Sequence, residues 1–211
     1  MKKSSGILIL ILALSLIVLY FVPLWNIALD APQYPEGLGM QIWLTKITGD
    51  LNTINGLNHY IGMKTIEPDS IEELKLMPYI IGFIIVFGII VYIFNKRALL
   101  LSWILLIIAI GTAGMYDFWT WEYDYGHNLD PTAAIKVPGM NYQPPLIGSK
   151  QLLNFNASSM PASGGYILFA VGIIAILVLI YEYKFNKSRE KVIKYCIIKY
   201  SASADTQLNI N

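Results

Sequence analysis

Residues 76–116 read LMPYIIGFIIVFGIIVYIFNKRALLLSWILLIIAIGTAGMY, two apolar runs separated by the polar turn Asn95-Lys96-Arg97. Each run has about the 20 residues that a helix needs to cross roughly 30 Å of hydrocarbon. Two further apolar runs of similar length lie near the start and before the end of the chain. The sequence therefore predicts an all-α membrane protein with four transmembrane helices. The predicted spans are residues 6–25, 76–94, 98–116 and 165–183.

The first apolar run follows Lys2 and Lys3, as the core of a secretory signal peptide would. It is longer than the about 7–15 apolar residues of such a core, and no A-x-A cleavage site follows it. Pro23 and Trp25 at its end are typical of an exit at the membrane interface. We interpret this run as an uncleaved membrane anchor.

Charged residues are divided unequally among the segments that flank the spans. The two chain ends and the turn at 95–97 hold ten cations and three acids, a net charge of +7. Residues 26–75 and 117–164 hold five lysines and eleven acids, a net charge of −6. Because cytoplasmic segments carry the excess of Lys and Arg, we expect both termini inside a bacterial inner membrane. Residues 26–75 and 117–164 then form two large ordered outer loops, and residues 186–211 form a basic cytoplasmic tail.

The first outer loop contains three local signals. Apolar and polar residues alternate over residues 40–47, which predicts a short strand or an extended segment. Apolar residues recur at three- and four-residue steps over residues 51–63, which predicts a helix that Gly56 and Gly62 weaken. Ser70 and Glu73 have the spacing of a capping box, which predicts a helix start before the second span.

His59 and Met63 have the spacing of neighbours on one helix face. An imidazole nitrogen and a thioether sulfur at these positions favour Cu(I) over cations that prefer oxygen ligands. The structural alternative is that Met63 packs on the membrane surface while His59 hydrogen-bonds an amide carbonyl.

A second cluster follows directly after the third span. Residues 116–127 read YDFWTWEYDYGH, in which acids alternate with aromatic side chains. Carboxylates beside an imidazole bind divalent metals or orient a ligating histidine. The same composition also describes an aromatic belt at the membrane interface with solvated charges. The members of the cluster are Asp117, Glu122, Asp124 and His127.

Both histidines and all methionines after the first residue fall on the predicted outer side. Met140 and Met160 lie in Pro-containing loops, where no helix core calls for a flexible apolar filler. Thioethers in such loops either pass Cu(I) between weak sites or form an adaptable docking surface, since methionine repacks readily. The six methionines are Met40, Met63, Met77, Met115, Met140 and Met160.

Several catalytic signatures are absent from the sequence. It contains no CxxC, HExxH, GxSxG, P-loop or dinucleotide-binding motif. The predicted spans hold no ionisable residue near mid-membrane, which disfavours a transporter or proton pump. The only cysteine is Cys196 in the tail, so the outer loops are held without a disulfide.

Three stretches carry a family resemblance: APQYPEGL at 31–38, NGLNHYIGM at 55–63 and MYDFW at 115–119. They resemble small polytopic membrane proteins encoded beside Sec-exported, clade II nitrous-oxide reductase in bacteria. The resemblance covers about residues 5–185 and implies a role in maturing or serving a periplasmic copper enzyme. The resemblance carries over only His59 and Met63, which lie in the stretch at 55–63, and it assigns no role to either.

These observations predict a non-enzymatic accessory protein that handles copper for, or docks, a periplasmic copper enzyme. The alternative is a structural or electron-transfer subunit, in which the aromatic stretch contacts a quinone or a cytochrome and no metal is bound. Expected partners are the lipid bilayer and a periplasmic or membrane protein, with no nucleic acid. The predicted copper ligands are His59, Met63 and His127. Asp117 and Asp124 are expected to orient a ligand or to balance charge, and Met140 and Met160 to serve transfer or docking.

Overall fold

The computed structural model describes residues 1–152 and 154–184, so the predicted basic tail lies outside the described residues. The helices are α1 (Lys3–Ser15, continued by a 3-10 helix at Leu16–Tyr20), α2 (Leu51–Ile61), α3 (Glu72–Phe94), α4 (Arg97–His127) and α5 (Ser163–Lys184), and a 3-10 turn lies at Pro68–Ser70. The strands are β1 (Trp25–Ala31), β2 (Tyr34–Ile42), β3 (Ile47–Gly49), β4 (Gly148–Leu152) and β5 (Phe155–Pro161).

Four helices are long and apolar enough to cross a membrane: α1 with its 3-10 extension, α3, α4 and α5. This confirms the four apolar helices that the sequence predicts. They pack around a core that includes Leu16, Ile84 and the fully buried Trp103. The Trp103 indole donates to the Ile84 carbonyl at 2.8 Å, which satisfies its N–H inside the apolar bundle.

Polar contacts tie three segments together at one end of this bundle. The buried Glu182 carboxylate accepts from the Lys2 backbone N–H at 2.9 Å and from the Ser5 hydroxyl at 2.6 Å. Arg97 lies 3.5 Å from the other carboxylate oxygen, and the N-terminal amine donates to the Asn95 carbonyl. The chain start, the turn between α3 and α4 and the last turn of α5 therefore lie together.

The prediction of an all-α protein is wrong, because the two loops at the opposite end of the bundle form an antiparallel sheet of order β3-β2-β1-β5-β4. β1 is the central strand and pairs with β2 from its own loop and with β5 from the other loop. The first predicted span is also too long, since its helical part ends at Tyr20 and Trp25 begins β1.

The α4 helix continues far beyond the predicted end of its span at residue 116. Its 31 residues correspond to about 46 Å, whereas the hydrocarbon layer is about 30 Å thick. The last three turns therefore extend past the apolar bundle and pack against the sheet, where Trp25 and Phe118 meet edge to face at 5.6 Å. The stretch 116–127 is helical and does not open a loop, contrary to prediction. We use the term cap for the sheet, α2, residues 117–127 and the segments that connect them.

Of the signals in the first loop, the helix at α2 and the helix start before the second span are confirmed, the strand is confirmed in part, and the capping box is wrong. Of the stretch 40–47, residues 40–42 are the end of β2 and Ile47 is the start of β3, whereas the residues between them connect the two strands. The capping box does not form, because α3 begins at Glu72 without a side-chain cap. The Ser70 hydroxyl instead donates to the Glu67 carbonyl at 2.7 Å.

Candidate functional site

The cap encloses a cavity of about 60 Å³ between the inner face of the sheet, α2 and the end of α4. Such a volume has room for a small ion or a few water molecules. Aliphatic side chains form most of its wall, including Ile27, Ile54 and Ile66. Of the described residues that line it, only Glu122 is an acidic or basic residue, and burial raises the pKa of its carboxyl to about 8.

Glu122 is the most unusual residue of this cavity. It lies one turn after Phe118 on the inward face of α4, and its side chain is 0 % exposed. Neither carboxylate oxygen has a hydrogen-bond partner among the described residues. An ionised carboxylate is costly to bury in this way, so either a proton or a bound cation has to neutralise it.

Tyr142 places a second unpartnered polar atom at the same cavity. Its side chain is buried and its hydroxyl has no partner among the described residues. Its backbone N–H donates to the Gly126 carbonyl at 3.0 Å, which holds this part of the second loop against α4. Gly126 permits the contact, since a Cβ there would lie 2.4 Å from the Gln143 backbone.

Two thioethers, from Met40 and Met63, line the cavity as well. Met40 is a buried residue of β2, whereas Met63 follows the end of α2 and is half-buried. Gly62 adopts a left-handed φ of +81° and ends the helix, and Met63 N–H then donates to the Asn58 carbonyl at 2.9 Å. Asn55 holds the following segment by bonding both the N–H and the carbonyl of Ile66.

The predicted pairing of His59 with Met63 on one helix face does not form, because Met63 lies beyond the helix end. His59 is exposed, meets the Tyr60 ring edge to face at 6.1 Å, and does not line the cavity. The pKa of Asp130 is lowered mainly by hydrogen bonds from the Thr132 side chain and N–H, with smaller contributions from Lys136 and His59.

His127, Asp124 and Asp117 lie on α4, outside the cavity lining. The His127 ring stacks on Tyr123 at 4.0 Å, and its Nδ1 lies 3.0 Å from the Tyr123 carbonyl. Asp124 pairs with Lys64 at 2.5 Å and also accepts from the Asn128 amide. Asp117 is exposed.

The other two predicted residues lie elsewhere in the cap. Met140 is in the second loop, where its N–H donates to the Val137 carbonyl at 3.1 Å. Met160 is an exposed residue of β5, opposite Asn26 in the register. Within residues 1–152 and 154–184, no three His, Cys, Asp or Glu side chains form a group suited to hold a metal. Of the predicted residues, only Met63 lines the cavity.

The outer face of α4 carries a row of aromatic rings that leads away from the bundle. Tyr116, Trp119 and Tyr123 are exposed, and His127 continues the row. Neighbouring ring centroids are 6.1 Å, 5.5 Å and 4.0 Å apart along this sequence. We call these four residues the outer aromatic stripe.

Sequence reasoning did not select Met40, Glu122 and Tyr142 as a group. A signal for Glu122 was present, since Phe118, Trp121 and Tyr125 recur at helical spacing and Glu122 falls within that face. Met40 and Tyr142 gave no such signal, because their approach depends on the pairing of two loops about a hundred residues apart.

Comparison with protein families, with curated proteins and with solved structures finds no match to this chain. The resemblance to proteins encoded beside nitrous-oxide reductase stays a prediction.

Proposed function

We propose that this chain is a non-enzymatic accessory protein of a bacterial inner membrane and that its cap docks a protein partner through the outer aromatic stripe. Both termini are then cytoplasmic and the cap is periplasmic. The observation that carries the proposal is the exposure of three large aromatic side chains in one row, of which Tyr116 is 68 % exposed. The net charges of +7 and −6 on the two sides support this orientation.

The length of the outer aromatic stripe supports a protein, and not lipid, as the partner that covers at least its end at His127. Tyr116 and His127 are eleven residues apart, about 16 Å along a helix. The polar headgroup layer adds only about 5–7 Å to each side of the hydrocarbon. Lipid headgroups therefore cover the stripe near Tyr116 but do not reach Tyr123 and His127. Large aromatic side chains are enriched among the residues that dominate binding energy at protein interfaces.

The position of the stripe supports a partner in, or resting on, the same membrane. It continues at helical spacing the exposed apolar face of α4 formed by Leu101, Leu105 and Ile108. One uninterrupted face therefore runs from the lipid-exposed part of the helix into the cap. A periplasmic or membrane enzyme beside this face contacts both parts at once.

Photo-crosslinking in native membranes tests this docking role. A benzophenone amino acid replaces Trp119 or Tyr123 on the stripe, and as a matched control it replaces the exposed Asn52 of α2. We expect one discrete protein adduct from both stripe positions and none from the control. Adducts with lipid alone, or equal protein adducts from all three positions, contradict the proposal. If the cross-linked partner contains haem or a quinone, the result favours the alternative that this protein is an electron-transfer subunit.

A second proposal is that the protein handles copper for such a partner, as the family resemblance implies for nitrous-oxide reductase. The observation that favours it is that Met40 and Met63 line the same cavity as the buried Glu122 carboxylate. Anaerobic titration of the purified full-length chain with Cu(I) against a chromophoric chelator tests this role. We expect one bound equivalent, and a chain that takes up no Cu(I) contradicts copper handling without bearing on docking.

A further inference from the structure

The unpartnered polar atoms of the cap cavity suit a cationic ligand that displaces the proton by which Glu122 is otherwise neutralised. Glu122 is fully buried with both oxygens unpartnered, and no described residue that lines the cavity supplies a positive charge. Tyr142, whose hydroxyl also has no partner among the described residues, lines the same cavity. A buried charge is tolerated when it is paired or coordinates an ion.

The charge of the cavity restricts the ion to a single positive charge. One carboxylate neutralises a monovalent cation, whereas a divalent cation leaves an uncompensated charge among aliphatic side chains. The rings of Trp121 and Tyr125 also line the cavity, and aromatic rings attract a desolvated cation.

The thioethers of the cavity select among monovalent ions. Met40 and Met63 approach it from different elements, one from a strand and one from the segment after α2. Thioether sulfur is a soft ligand that favours Cu(I), whereas hard cations such as K⁺ prefer oxygen. Methionine often serves only to fill irregular gaps in a core. Here both line the cavity that the buried Glu122 also lines.

We propose that the cap cavity binds one Cu(I) ion through the thioethers of Met40 and Met63, with the Glu122 carboxylate as its counter-charge. The Tyr142 hydroxyl completes the polar side of the site. This set shares only Met63 with the ligands predicted from the sequence and leaves both histidines outside. The inference rests on copper handling as proposed above and names the site at which it occurs.

Competition titration under anaerobic conditions tests the site. Full-length protein in detergent is titrated with Cu(I) against bicinchoninate, with and without excess K⁺. The cavity variant is Met40→Leu/Met63→Leu, and the matched control is Met140→Leu/Met160→Leu, which removes two thioethers outside the cavity. We expect the cavity variant to lose at least about 100-fold in affinity and the control to stay within about threefold. K⁺ should not compete.

The variant Glu122→Gln tests whether the Glu122 carboxylate is the counter-charge of the ion. It also tests the site if the variant Met40→Leu/Met63→Leu does not fold. It preserves the side-chain shape and removes the charge, so we expect an affinity loss of roughly 10–100-fold. At the same Cu(I) concentration, Cu(I) should also raise the Tm of Glu122→Gln by less than that of the wild type and of the control, because stabilisation by a ligand of the folded state grows with the ratio of its concentration to Kd.

The outcomes separate this inference from the proposed function. If the wild type binds Cu(I) and the cavity variant and Glu122→Gln bind it equally well, the cavity site is wrong while copper handling stands. If excess K⁺ abolishes the binding of Cu(I) by the wild type, the cavity is a site for hard cations. This result also overturns the assignment of the cavity to Cu(I). If the wild type binds no Cu(I), copper handling and the site both fail.

Discussion

Gly126 is a residue of α4 against which the second loop packs, and it shows how a single missing side chain shapes the cap. A Cβ at this position would lie 2.4 Å from both the backbone N and the Cα of Gln143. We predict that Gly126→Ala destabilises the protein by about 1–3 kcal/mol, because the loop has to move away and the Tyr142 bond is lost.

The matched control for this prediction is Gly56→Ala in α2, where a Cβ meets nothing within 4 Å. Alanine is the better helix former, so we expect this variant to be more stable by up to about 1 kcal/mol. Thermal unfolding in detergent, followed by circular dichroism, measures both changes. A Gly126→Ala protein as stable as Gly56→Ala would show that the close approach is not present.

The positions of His59 and Met63 show which parts of the site can be predicted from the sequence and which cannot. Gly62 was read as a residue that weakens the helix, whereas its left-handed φ ends the helix and turns Met63 toward the cavity. A glycine after the last apolar residue of a helix is a recognised stop signal, so this part was predictable. The burial of Glu122 was not, because it depends on a loop that covers α4 from elsewhere in the sequence.

At the scale of elements, the continuity of α4 through the membrane surface positions both the cavity and the outer aromatic stripe. Thr120 lies in this extension, is exposed, and donates its hydroxyl to the Tyr116 carbonyl at 2.9 Å. We predict that Thr120→Pro costs about 3 kcal/mol or more, because proline removes a helix hydrogen bond and clashes with the preceding turn.

Limited proteolysis provides the measurement for this variant. Thr120→Pro should become sensitive to cleavage in the second loop, while Thr120→Ala, which keeps the helix, should resist it as the wild type does. Equal resistance of all three proteins would contradict a continuous α4.

The elements that the sequence revealed are those with strong and uninterrupted periodicity. The four apolar helices and α2 were predicted, whereas the strands mostly were not. β1 alternates inward and outward residues, but Trp25 at its start was assigned to the end of the first span. β4 is an edge strand with mostly exposed polar residues, and such a strand carries little hydrophobic alternation. The helical extension of α4 was indicated by its aromatic spacing and by the absence of Gly or Pro between Tyr116 and Gly126.

For the whole molecule, the proposed orientation predicts which positions an impermeant maleimide reaches in spheroplasts. In a Cys196→Ser background, Ser149→Cys on β4 should be labelled directly. Lys96→Cys, in the turn between α3 and α4, should be labelled only after permeabilisation, because that end of the bundle carries the excess of cations. The reverse pattern would place the cap in the cytoplasm and remove the periplasmic partner.

The joining of the two loops in one sheet was beyond sequence reasoning, because strand pairing between segments about 130 residues apart leaves no local pattern. The charge distribution predicted only that both loops lie on one side. The pairing of β1 with β5 goes further, since it places Asn26 between Gln41 of β2 and Met160 of β5. The cavity depends on this arrangement, because residues of both loops line it.

Disulfide cross-linking across β1 and β5 is the measurement that tests this arrangement most directly. In a Cys196→Ser background, Asn26→Cys/Met160→Cys places two thiols on neighbouring strands about 5 Å apart, which permits a disulfide. Gln41→Cys/Met160→Cys places them two strands apart, about 10 Å, which does not. The account predicts an intramolecular cross-link under mild oxidation in the first pair only. Failure of the first pair to cross-link, or equal cross-linking of both pairs, would contradict a single sheet built from the two loops.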